Sequence, residues 1–90
     1  MGDGKEPALK IMFPPNGARL ELASIAGKLD PVALKVAGGV EPLTMLVNGM
    51  PVAGQFGKRT MFFEPDGPGF VRLTVIDAKG TADSVVVRLQ

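Results

Sequence analysis

Residues 70–89 read FVRLTVIDAKGTADSVVVRL. Val71, Leu73 and Val75 alternate with Arg72 and Thr74, and Val85, Val87 and Leu89 alternate with Val86 and Arg88. A period of two means that each segment turns one apolar face to a core and one face away from it. Between them Asp77-Ala78-Lys79-Gly80 supplies the residues of a tight turn. Two alternating segments around such a turn predict an antiparallel hairpin.

The same grammar runs through the rest of the chain. Leu9, Ile11 and Phe13 alternate with Ala8, Lys10 and Met12 and predict a strand with those three side chains inward. Pro14-Pro15-Asn16-Gly17 turns the chain. Ala18, Leu20 and Leu22 then alternate with Arg19 and Glu21, and Val32, Leu34 and Val36 with Ala33, Lys35 and Ala37. Asn48-Gly49 stands between the apolar stretches Leu43–Val47 and Met50–Ala53, and this dipeptide tolerates positive φ at both positions, as a two-residue hairpin requires. Thr60–Glu64 is a further short strand, stopped by Pro65. Only Glu21–Lys28 approaches a helical period, and Gly27 and Pro31 cut it short. The expected fold is all-β: an immunoglobulin-like Greek-key β-sandwich of seven to eight short strands over residues 8–90. Residues 1–7 are read as a disordered or expression-derived N-terminal segment. Asn48-Gly49 should centre a tight hairpin, and Met45 should lie between the sheets near Phe63 and Leu73.

Ninety residues carry 10 basic and 9 acidic side chains, a net charge of +1, which argues against an electrostatic nucleic-acid binder. The chain has no Cys, His, Trp or Tyr. Thiolate or imidazole metal sites, haem ligation and nucleophiles served by histidine are thereby excluded. Fragments of serine-enzyme motifs fail on spacing or order. Ser24 and Lys28 stand as S-x-x-x-K, Lys79-Gly80-Thr81 inverts K-T-G, and no Asn follows Asp83-Ser84. Glu64 and Asp66 are the nearest carboxylate pair in an aromatic neighbourhood, yet Pro65 and Gly67 mark a turn rather than a cleft. Asp30, Asp66 and Asp77 lack calcium-loop spacing. Asp66 and Asp77 are expected to accept backbone N–H bonds in their own turns. Lys58-Arg59 reads as a solvated loop. No catalytic residue, cofactor or metal is expected, nor any membrane insertion.

The alternation also sends Met12, Leu46, Phe62, Phe70, Ile76 and Val86 away from the core and leaves Phe56 in a loop. Leu46, Phe56 and Phe62 form the expected interaction patch, because their strands flank the same Gly-rich connection. Such a patch marks a protein interface.

Glu64-Pro65-Asp66-Gly67-Pro68-Gly69-Phe70, followed by Arg72–Gly80, is the most distinctive run in the chain. Together with Phe13–Ala18 and Pro42–Gly49, in this order and spacing, it resembles the C-terminal domain of bifunctional penicillin-binding proteins of the 1C type. The likeness extends from about Leu9 to Leu89. Members of that family often carry Trp at the positions matched to Met45 and Phe63, where smaller apolar residues stand here. The resemblance implies a place on the periplasmic side of the inner membrane, behind glycosyltransferase and transpeptidase domains of peptidoglycan synthesis, with the catalytic serine upstream. It offers no catalytic residue to carry over. The implied role is a non-catalytic accessory domain that binds or positions other domains of its parent or another envelope protein. The alternative is direct binding of peptidoglycan, for which Arg72 and Arg88, on neighbouring outward faces, are the candidate stem-peptide contacts.

Overall fold

The structure, a computed structural model, describes residues 8–22, 24–25, 28–52 and 59–90. None of these is helical, so no helix among them could cross a membrane. The strands are β1 (Lys10–Phe13), β2 (Arg19–Leu20), β3 (Ser24–Ile25), β4 (Lys28–Leu29), β5 (Val32–Ala37), β6 (Thr44–Val47), β7 (Met50–Pro51), β8 (Thr60–Phe63), β9 (Gly69–Ile76) and β10 (Ala82–Leu89). Eight of them form two sheets, ordered β1-β5-β8 and β2-β10-β9-β6-β7, while β3 and β4 pair by themselves. The result is a small β-sandwich, as the alternation predicted.

The hairpin read from residues 70–89 is the backbone of the larger sheet. β9 and β10 pair antiparallel from Gly69↔Leu89 to Ile76↔Ala82. Leu73, Val75, Val85, Val87 and Leu89 of this hairpin are buried, and they share one core with Ile11, Leu34, Val36, Met61 and Phe63 of the three-stranded sheet. Met45 and Leu73 are wholly inaccessible and Phe63 nearly so, and all three belong to that core. Burying an aliphatic or aromatic side chain stabilises by about 1.5–3 kcal/mol relative to exposure, so these strand faces dominate the folding free energy.

Asn48-Gly49 closes β6 onto β7 with φ of 51° and 83°, the doubly left-handed turn whose twist suits a two-residue hairpin. The Asn48 side chain does more than turn the chain. Its Oδ1 accepts the Arg72 N–H at 2.9 Å, and the Asn48 N–H donates to the Arg72 carbonyl at 2.9 Å. A side-chain amide thus prolongs the β6–β9 ladder by one rung. Asn16 repeats the device, because its Oδ1 accepts the Val86 N–H at 2.8 Å while the Gly17 N–H donates to the Val86 carbonyl at 2.7 Å. That clamp starts the parallel pairing of β2 with β10, with Arg19 beside Arg88 and Leu20 beside Leu89.

Phe13 departs from expectation. Leu9 and Ile11 are buried, but Phe13 is 41% exposed. The β1–β5 register explains it: Ile11 faces Val36 and Phe13 faces Lys35, so two steps on β1 match one step on β5. Such a bulge shifts the alternation by one residue. The inward position passes to Pro14, which is fully buried.

One end of the sandwich is tied together by Asp77. Its Oδ1 accepts the N–H groups of Lys79 (3.0 Å) and Thr81 (2.9 Å) within the β9–β10 turn, and its Oδ2 accepts that of Val40 (3.0 Å) in the β5–β6 crossing. Burial pushes the Asp77 carboxyl up, but the three N–H donors and the Lys79 charge outweigh it and hold the group below its ordinary value. Asp77 thus fills the turn role read from the sequence, whereas no backbone N–H among the described residues donates to Asp66. Arg59, read as solvated, instead donates to the carbonyls of Gly38 and Gly39 and pairs with Glu41 at 3.2 Å. The loop carbonyls of the crossing are the partners that Arg59 finds. Lys58 lies outside the described residues.

Candidate functional site

Leu46 and Phe62 were expected to share one patch with Phe56. Phe62 sits on β8 of the three-stranded sheet, between the buried Met61 and Phe63, and is 51% exposed. Leu46 sits on β6 of the five-stranded sheet, next to the buried Met45, and is only half-buried. Alternation therefore sends Leu46 out through one sheet and Phe62 out through the other. The two side chains are not brought together, and Phe56 lies outside the described residues. Residues 1–7 lie outside them as well.

Arg72 and Arg88 do share a surface. With Leu73, Val85, Val87 and Leu89 inward, Phe70, Arg72 and Thr74 of β9 and Ser84, Val86 and Arg88 of β10 face outward. Arg72 lies opposite Val86, and Arg88 lies opposite Phe70 on one side and Arg19 on the other. Phe70 is 72% exposed, the most open of the large apolar side chains among the described residues. The Arg88 guanidinium lies 5.6 Å from the centre of its ring, within the range of a cation–π contact. A shallow depression of about 370 Å³ is lined by Asn16, Gly17, Arg19, Phe70, Val86, Val87 and Arg88.

Arg19 and Phe70 of this surface were missing from the candidates drawn from the sequence. Phe70 carried the signal in its outward phase. Arg19 joins only because β2 pairs parallel to β10, a long-range choice that local alternation does not encode.

The remaining polar groups lie apart from this surface or pair with one another. The Thr74 and Ser84 hydroxyls face each other across β9 and β10 at 2.9 Å, with no base beside them among the described residues. Glu64 and Asp66 both stand exposed at the mouth of a shallow opening that Val47 and Phe63 also line. Among the described residues no cluster of three or more His, Cys, Asp or Glu could hold a metal ion. The described residues of this sheet present an arginine-framed aromatic face.

Of the comparisons with known proteins, one bears out the motif reading at the level of the family. No curated protein and no solved structure matches the chain. The family model for the Penicillin-Binding Protein C-terminus Family matches residues 2–89, nearly the whole length. The chain is therefore a member of the penicillin-binding protein C-terminus family.

Proposed function

We propose that this domain is a non-catalytic accessory module of a peptidoglycan-synthesising penicillin-binding protein of the 1C type, placed on the periplasmic side of the inner membrane. In this reading it binds or positions a neighbouring domain of its parent or another envelope protein. The observation that carries the reading is Phe70, held wide open on the broad outer face of the five-stranded sheet. A large exposed aromatic flanked by arginines has the composition of an interface centre. Contacts between domains of one chain bury roughly 600–1,500 Å², within the reach of one sheet face of this size.

The test has two arms. The purified chain is incubated with muropeptides and with lipid-linked precursor; no conversion is expected, and turnover of either would overturn the reading. The parent protein is then chemically cross-linked with Phe70→Asp or Phe62→Asp in place. Phe70→Asp should deplete cross-linked species containing this domain and Phe62→Asp should leave them. Unchanged species with Phe70→Asp would remove the face from consideration.

A further inference from the structure

We propose that the outer face of the five-stranded sheet is a carboxylate-reading surface, with Arg19, Arg88 and Arg72 grouped around Phe70, and that its partner is an extended acidic polypeptide segment. The inference deepens the interaction reading above and rests on it.

Two of these arginines sit in an arrangement that costs stability. Arg19 and Arg88 are register partners on adjacent strands, roughly 4.8 Å apart along the hydrogen-bonding direction. Like charges placed directly opposite each other destabilise a sheet. Arg72 stands opposite Val86, one alternation from Arg88, and so lies diagonally across from it at roughly 7–8 Å. No ion pair among the described residues engages any of the three guanidinium groups. Glu21, two residues beyond Arg19 and past the end of β2, is exposed and forms no ion pair among the described residues. Three cations share this face with no counter-ion among the described residues, so an external anion would relieve their repulsion.

The chemistry of that anion follows from the residue types. All three cations are arginines, whose planar forks match a carboxylate or phosphate edge with two parallel bonds. Phe70 holds the Arg88 guanidinium by its face and leaves most of its own surface open. Val86 and Leu46 continue the face with half-buried apolar surface. A membrane surface calls for a denser cluster, about four to eight basic residues, and this chain has a net charge of only +1. Along β9 the outward positions run from Phe70 to Arg72, and along β10 from Val86 to Arg88; this alternation along each strand suits a strand-like peptide whose acidic side chains meet the arginines and whose apolar ones meet Phe70 and Val86.

The probe is a short fluorescent peptide alternating glutamate with valine, titrated into the intact chain at low and high salt. Its control is the same peptide with glutamine for glutamate. The glutamate peptide should bind, and the glutamine peptide should bind about tenfold more weakly or not at all. Affinity should fall as salt shortens the screening length from about 10 Å at 0.1 M to about 3 Å at 1 M. Arg19→Gln with Arg88→Gln should reduce affinity about tenfold, while backbone amide spectra confirm that the fold is kept. Equal binding of both peptides would overturn the inference, as would arginine variants without effect. Arginine-dependent binding to anionic vesicles or to isolated sacculi, with none to the glutamate peptide, would overturn it too. If Phe70→Asp disturbs the parent's contacts and neither peptide binds, the face stands and the acidic partner falls. If the glutamate peptide binds and Phe70→Asp leaves those contacts unchanged, the interaction reading falls instead.

Discussion

Gly39 and Gly49 offer a controlled comparison, because both sit in the left-handed region at nearly the same φ, +74° and +83°. A Cβ at Gly49 meets nothing within 4 Å. Gly49→Ala therefore measures the conformational cost alone, about 1–2 kcal/mol for an L-residue. A Cβ at Gly39 would stand 2.7 Å from Leu9 Cδ1 and 3.3 Å from both Cβ and Oδ2 of Asp77. Leu9 can swing its methyl aside at some loss of packing. Asp77 cannot follow, since its two oxygens are held by Val40, Lys79 and Thr81. Gly39→Ala should thus cost the same conformational amount plus an overpacking penalty of about 1–3 kcal/mol. In a domain of this size each kcal/mol lowers Tm by roughly 4–8 °C. The assay is thermal unfolding by circular dichroism. Gly49→Ala should fall by roughly 4–16 °C, and Gly39→Ala at least roughly 4 °C further. Equal losses would refute the argument that the crossing loop, Leu9 and Asp77 are packed against one another.

Other consequences concern the same framework. The Asp77 carboxyl is held below its ordinary value in the folded state, so its contribution is present above the ordinary carboxylate range and disappears as pH falls through the lowered value. Urea midpoints measured across acidic pH should fall below about pH 4, and Asp77→Asn should be less stable at neutral pH with a flatter acid limb. Asn48→Gly keeps the turn but loses the acceptor for Arg72, and should cost about 0.5–1.5 kcal/mol in denaturant unfolding. Met45→Ala should cost about 2–5 kcal/mol. Phe70→Ala, at an exposed position, should change stability by no more than about 1 kcal/mol, the strength of a surface cation–π contact.

The strands were legible because alternation is a local property. Residues 70–89 needed only their own pattern to specify an eight-rung ladder. Asn48-Gly49 declared its hairpin because few other residue pairs accept two positive φ values. Phe13 was misread for a physical reason: one bulge moves every later side chain to the other face, and the bulge is set by pairing with β5 rather than by composition. The proposed patch of Leu46 and Phe62 failed to gather for a related reason. Neighbouring elements in sequence belong to different sheets here, and alternation tells inside from outside without saying which outside. Arg19 and Arg88 stand 69 positions apart in the sequence; only the long-range parallel pairing of β2 with β10 makes them neighbours.

In the proposed reading, contacts are made through the outer face of the five-stranded sheet and not through the opposite face. Phe70 and Phe62 test it with identical chemistry on the two sides. A photoactivatable phenylalanine analogue placed at position 70 or position 62 of the parent protein would report what each face touches in the cell envelope. Discrete cross-linked products are expected from position 70 and none from position 62. Products from position 62 alone would contradict it.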